Sequence, residues 1–97
     1  MKLEENFHIS EFKCKDGTQV PEEYLDNVKK LAKNLQVLRD FLEKPVVIIS
    51  GYRSPKYNRR IGGARRSQHM LATAADIKVP GLDPRDVREA IVGMVLA

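Results

Sequence analysis

The sequence predicts a single small α+β domain, on three observations. One stretch repeats its apolar residues every three or four positions for about six turns, as an amphipathic helix does. Two short runs rich in β-branched or alternating residues read as strands. The chain has 97 residues, enough for one modest core and no second domain. Its composition, 42% hydrophobic and 31% charged, is that of an ordinary globular chain rather than a disordered one.

Residues 1–20 carry no sustained period and are expected to be irregular or briefly extended. Phe7, Ile9 and Phe12 are their apolar anchors, and Asp16-Gly17 reads as a turn. Cys14 is the only cysteine. It rules out an internal disulfide framework, cannot by itself make a thiolate metal site, and reads as a small buried hydrophobe.

A long helix is expected to start at Pro21, which suits a first helical position, with Glu22 and Glu23 at the positive end of its dipole. Tyr24, Leu25, Val28, Leu31, Ala32, Leu35, Leu38, Phe41 and Leu42 form the apolar face. Lys29, Lys30, Lys33, Asn34 and Asp40 form a solvated one. The helix should end near Lys44-Pro45.

Val46–Ile49 is apolar on both faces and suggests an inner strand. Gly51 ends it. Ser54-Pro55 reads as a cap and first-turn proline of a short helix that Gly62-Gly63 stops near Ile61.

Ala74–Val79 alternates as a second strand. Ala75, Ile77 and Val79 share one face; Ala74, Asp76 and Lys78 share the other. With the first face in the core, Asp76 points away from it. After Pro80-Gly81, Asp83 caps a last helix whose stripe is Val87, Ala90, Ile91, Met94 and Val95. That stripe is still apolar at Ala97, which suggests a truncated reading frame or, alternatively, a short docked terminal helix.

No apolar run approaches the roughly 18 residues of a membrane span. The N-terminal MKLEENFHISEF is too acidic and broken for a signal peptide, so the protein as encoded is expected in the cytoplasm. Net charge is +4. Arg53, Lys56, Arg59, Arg60, Arg65 and Arg66 lie in one stretch with no acid among them, a field that favours anionic partners. Nucleic acid is the weaker reading of that patch, because aromatic stacking partners are sparse and no nucleic-acid motif is present.

The chemistry concentrates between Ser50 and Asp76. His69 and Asp76 are candidate metal ligands, since zinc takes imidazole nitrogen and carboxylate oxygen at about 2.0–2.2 Å. Straight strand would hold them about 23 Å apart, so a shared metal requires the chain to turn back at Leu71-Ala72-Thr73. On spacing alone, an exposed histidine and a solvated aspartate are the plainer reading. Arg53, just past the first strand, suits a carboxylate fork or a surface ion pair. Ser67 fits a turn cap or a substrate contact. Tyr52 and Tyr57 fit packing better than acid catalysis.

The segments SGYRSPKYN, GGARRSQH and ATAADI together resemble the M15 family of zinc D-alanyl-D-alanine carboxypeptidases, closest to its phage and bacterial peptidoglycan-cleaving branch. The motif match covers Ser50–Asp76. Looser similarity takes in Ser10-Glu11-Phe12 and the long helix.

The resemblance implies a small α+β fold of the Hedgehog/DD-peptidase type, with an antiparallel sheet between a long N-terminal and a C-terminal helix. It implies zinc on His69 and Asp76, substrate binding and charge stabilisation by Arg53, and substrate contacts at Ser67 and Tyr52. The implied substrate is a peptidoglycan stem peptide cut near a D-alanyl bond, reached by a phage-type export route to the cell wall.

Two departures stand out. Ala72 replaces the family's glycine, and a positive φ there would strain it. The family's third ligand, a histidine, and its acidic general base come from a later strand that this chain lacks; the only other histidine is His8. The expectation is therefore an incomplete site, with weak zinc binding and weak or no activity. It also predicts an open sheet edge that a second copy would pair with. The alternative is a non-catalytic module that binds cell-wall peptide or protein on the same scaffold.

Overall fold

The computed structural model describes residues 1–88. The chain folds as an α+β domain of one long helix and two small antiparallel sheets. In the first, β1 (Lys2–Glu4) pairs with β2 (Phe7–His8). A 3-10 turn, Ile9–Phe12, follows, with His8 as its side-chain cap. The N-terminal stretch is thus more ordered than its sequence suggests, because Phe7 and Phe12 are buried and draw the backbone in.

Cys14 is also buried. Beside it, Asp16 Oδ1 accepts from the Thr18 amide at 2.9 Å, and Gly17 takes φ +95°. This is the expected Asp-Gly turn.

Helix α1 runs Leu25–Leu42, preceded by a 3-10 turn, Glu22–Tyr24, whose cap is Pro21. Pro21 therefore lies outside the long helix, which is shorter at both ends than predicted. At its C-terminus Glu43 is left-handed, φ 53°, because Pro45 disfavours helical geometry at Lys44. The buried face is Val28, Ala32, Leu35, Gln36 and Leu38.

Phe41, predicted for that face, is instead 53% exposed. At 3.6 residues per turn it projects roughly 140° from Val28. Gln36 takes a place on the buried edge because its Oε1 accepts from the Asn6 amide at 2.9 Å and its Nε2 donates to Asn6 Oδ1 at 2.8 Å.

Strand β3 (Val47–Ser50) pairs antiparallel with β4 (Asp76–Lys78). The predicted inner strand has this one partner among the described residues, and Val47 and Ile49 are about half exposed. The register runs Ile48↔Ile77 and then Ser50↔Asp76. The extra residue on β3 is a bulge, which bends its exit.

That exit meets Phe12. The Tyr52 amide donates to Phe12 O at 2.8 Å, and a Cβ on Gly51 would lie 2.8 Å from Phe12 Cα. Only glycine allows that approach.

Helix α2 (Pro55–Arg60) starts as expected. Ser54 Oγ accepts from the Tyr57 amide, Pro55 is first, and Ile61 is the cap residue. After β4, Asp83 caps a helical start through the Arg85 amide at 2.8 Å. Val87 is buried; Ala90, Ile91, Met94 and Val95 lie outside the described residues.

Candidate metal and substrate site

His69 and Asp76 come together. Their approach begins at Ser67, whose Oγ accepts from the His69 amide at 3.2 Å and starts a 3-10 turn, Gln68–Leu71. Ala72 ends that turn in the left-handed region, φ 57°. Its amide, and the amide and hydroxyl of Thr73, fold back onto the turn's carbonyls. The reversal falls at Leu71-Ala72-Thr73, as a shared site requires. A left-handed alanine is strained by roughly 1–2 kcal/mol, and the buried Ala72 methyl offsets part of that by packing.

The His69 ring is oriented by backbone. Its Nδ1 lies 2.8 Å from Gly51 O, and a carbonyl only accepts, so Nδ1 carries the hydrogen. Nε2 faces Asp76, 3.6 Å from Oδ2, and in the neutral ring it is the nitrogen that offers a lone pair. Such an orienting contact on the far nitrogen is what a metal-ligating histidine ordinarily has. Asp76 projects from β4 on the face away from the core and is 57% exposed, while His69 is 12% exposed.

Arg53 is the third member. Its amide donates to His69 O at 3.0 Å, tying the strand exit to the histidine turn. One guanidinium nitrogen lies 3.6 Å from Asp76 Oδ2; the other donates to Asn58 Oδ1 at 3.4 Å. Both contacts are long, and Nε is buried without a partner. The guanidinium is thus positioned with spare hydrogen-bonding capacity.

Three residues behind the site were not apparent in the sequence. Asn58 sits in a charged helix and looks solvated, yet it is 3% exposed and donates to Ala64 O at 2.8 Å. Gly63, readable only as a helix stop, is required because a Cβ there would meet Asn58 Oδ1. Gly51 supplies the carbonyl that sets the His69 tautomer. No local pattern in the sequence marks any of the three as supporting Arg53 or His69.

Tyr52 is buried, 5% exposed, with its ring 6.2 Å from that of Tyr24. Burial pushes its phenol pKa up. Tyr57 packs under Arg60. His8 is engaged elsewhere, with Nε2 at 2.8 Å from the N-terminal amine and Nδ1 at 2.9 Å from Ser10.

Among the described residues no three His, Cys, Asp or Glu side chains gather to hold a metal. The His69–Asp76 pair does fit two positions of one. Two ligands about 2.05 Å from a tetrahedral ion stand roughly 3.3 Å apart, close to the 3.6 Å observed.

Fold and site together define a small α+β domain that gathers an oriented histidine, a strand-borne carboxylate and a guanidinium. The family model described as Peptidase M15 matches residues 4–94, and the chain belongs to that family of metallopeptidases. Comparison with curated proteins and with solved structures found no match.

Proposed function

We propose that the domain is a zinc-dependent peptidase that acts on peptidoglycan stem peptides near a D-alanyl bond, with His69 and Asp76 as zinc ligands. The observation that carries this reading is the convergence of His69 Nε2 and an Arg53 nitrogen on one oxygen of Asp76, each at 3.6 Å. The gap between Nε2 and that carboxylate oxygen is the size that one shared cation, a zinc ion in this reading, would bridge.

Zinc, when bound, supplies Lewis acidity to the scissile carbonyl. Arg53 holds either the substrate's terminal carboxylate or the negative charge that develops on the carbonyl oxygen, with the donors it has free. Gly51 O keeps His69 in the ligating tautomer, and Ser67 holds the turn that carries it. Tyr52 is assigned to packing.

Among the described residues two ligands come together rather than three, and a pair alone would hold zinc weakly. The same fact favours the second reading, a scaffold that binds cell-wall peptide without turnover. Zinc titration by calorimetry is the test. One-to-one binding that is lost in His69→Ala and in Asp76→Ala supports the metal assignment; binding undiminished in both variants refutes it. Amine release from a stem peptide, abolished by chelator and reduced about 10²–10³-fold by Arg53→Ala, separates the enzyme from the binding module.

A further inference from the structure

Beside the His69–Asp76–Arg53 cluster lies a cavity of 520 Å³ lined by Pro55, Asn58, Arg59, Gly63, Arg65 and Met70. We propose that it is an anion subsite that seats an acidic side chain of the peptide substrate between Arg59 and Arg65. The proposal deepens the peptidase reading and rests on it for the location of the scissile bond.

The two arginines stand on either side of the Gly62-Gly63 turn, which takes φ +72° at Gly62 and brings helix α2 back toward the histidine turn. Both arginines are exposed. Among the described residues the basic side chains in contact with a carboxylate are Arg53 and His69, both at Asp76, so neither arginine has a carboxylate partner there. Arg60, by contrast, is occupied over the Tyr57 ring at 5.3 Å.

The cavity adjoins Arg53 through a shared wall. Asn58 touches the Arg53 guanidinium on one side, and Gly63 lies against the same nitrogen. Asp76 is on the guanidinium's other contact. A peptide laid along this face would cross from the His69–Asp76 pair over Arg53 into the cavity.

The size suits a side chain or small ligand, within the roughly 300–1,000 Å³ of ordinary ligand pockets. Pro55 and Met70 give it apolar walls, which lower the local dielectric and strengthen attraction to a carboxylate. Guanidinium forks match that group's two oxygens. A nucleic acid is disfavoured, because base stacking needs an exposed aromatic face and the neighbouring tyrosines are buried or covered by Arg60.

The test uses chelator-treated protein at low salt and two uncharged-ended probes, N-acetyl-Ala-Glu-Ala-amide and its Gln counterpart. Their only difference is the one carboxylate. The Glu peptide is expected to bind on the order of fivefold tighter, as one or two exposed ion pairs provide. The preference should vanish in Arg59→Gln/Arg65→Gln and return in Arg59→Lys/Arg65→Lys, with zinc affinity unchanged in both.

Equal binding of the two peptides, or a preference that survives the Gln variant, overturns the subsite. So does tight oligonucleotide binding that the Gln variant abolishes while the parent fails to discriminate the peptides. Failure of the zinc assignment would appear in the titration of His69 and Asp76 variants, not here.

Discussion

Replacing Gly51 by alanine probes the contact on which both the fold and the site rest. The new Cβ would lie 2.8 Å from Phe12 Cα and 2.8 Å from Phe12 O. Carbon atoms pack at about 3.5–4.0 Å, so the overlap with Cα is roughly 0.7–1.2 Å. The obstacle is backbone, not a flexible side chain. Phe12 is fully buried, and its carbonyl is held by the Tyr52 amide at 2.8 Å.

One of the two segments must move. Overpacking of this kind is destabilising by about 1–3 kcal/mol, and two backbone obstacles place Gly51→Ala in the upper half of that range. For a domain of this size, about 2.5 kcal/mol lowers Tm by roughly 10–20 °C.

Urea unfolding followed by circular dichroism measures the change as a lower midpoint at constant m. Gly17→Ala is the control. Its φ of +95° strains alanine, but nothing lies within 4 Å of the added methyl, so its effect should be near 1 kcal/mol. A Gly51→Ala protein no less stable than Gly17→Ala would refute the reasoning. The same substitution displaces Gly51 O, which orients His69 at 2.8 Å. Zinc affinity should therefore fall about 10–100-fold, as loss of an orienting contact behind a ligand does.

Gly63→Ala should also destabilise, by about 1–3 kcal/mol, since its methyl would displace the Asn58 amide. In an Asn58→Ala background the same change should be much milder, and equal effects in the two backgrounds would disprove the coupling. Asp16 gives a pH prediction. The Thr18 amide foremost, then the Thr18, Cys14 and Ser54 side chains, hold its carboxyl well below the usual carboxylate range. Its folded pKa is depressed, so its stabilisation is complete above the unfolded value near 4 and is lost as pH falls below it. Asp16→Asn should lower the urea midpoint at pH 7, and the gap to the parent should narrow on acidification; a constant gap from pH 7 to pH 2 would count against it.

Much of this protein was legible in local pattern. The period of Val28, Ala32, Leu35 and Leu38 marked the long helix, and Ser54-Pro55 marked the start of the short one. Alternation at Ala75, Ile77 and Val79 set Asp76 on the outward face. These are properties of neighbouring residues, and backbone geometry alone turns them into structure. The motif likewise singled out Arg53, His69 and Asp76, three side chains that the fold brings together.

Distance along the chain hid the rest. Whether His69 meets Asp76 depends on a left-handed Ala72, a conformation that the family's glycine at this position hinted at but that alanine itself does not favour. The orientation of His69 depends on a carbonyl 18 residues away, and the packing of Arg53 depends on an asparagine that reads as solvated. Phe41 shows the converse, an apolar residue whose angle on the helix carries it away from the core. Local pattern determined which elements form and which face each one buries. Only the tertiary structure decided the contacts between them, because burial and hydrogen bonding between distant segments are settled when those segments meet.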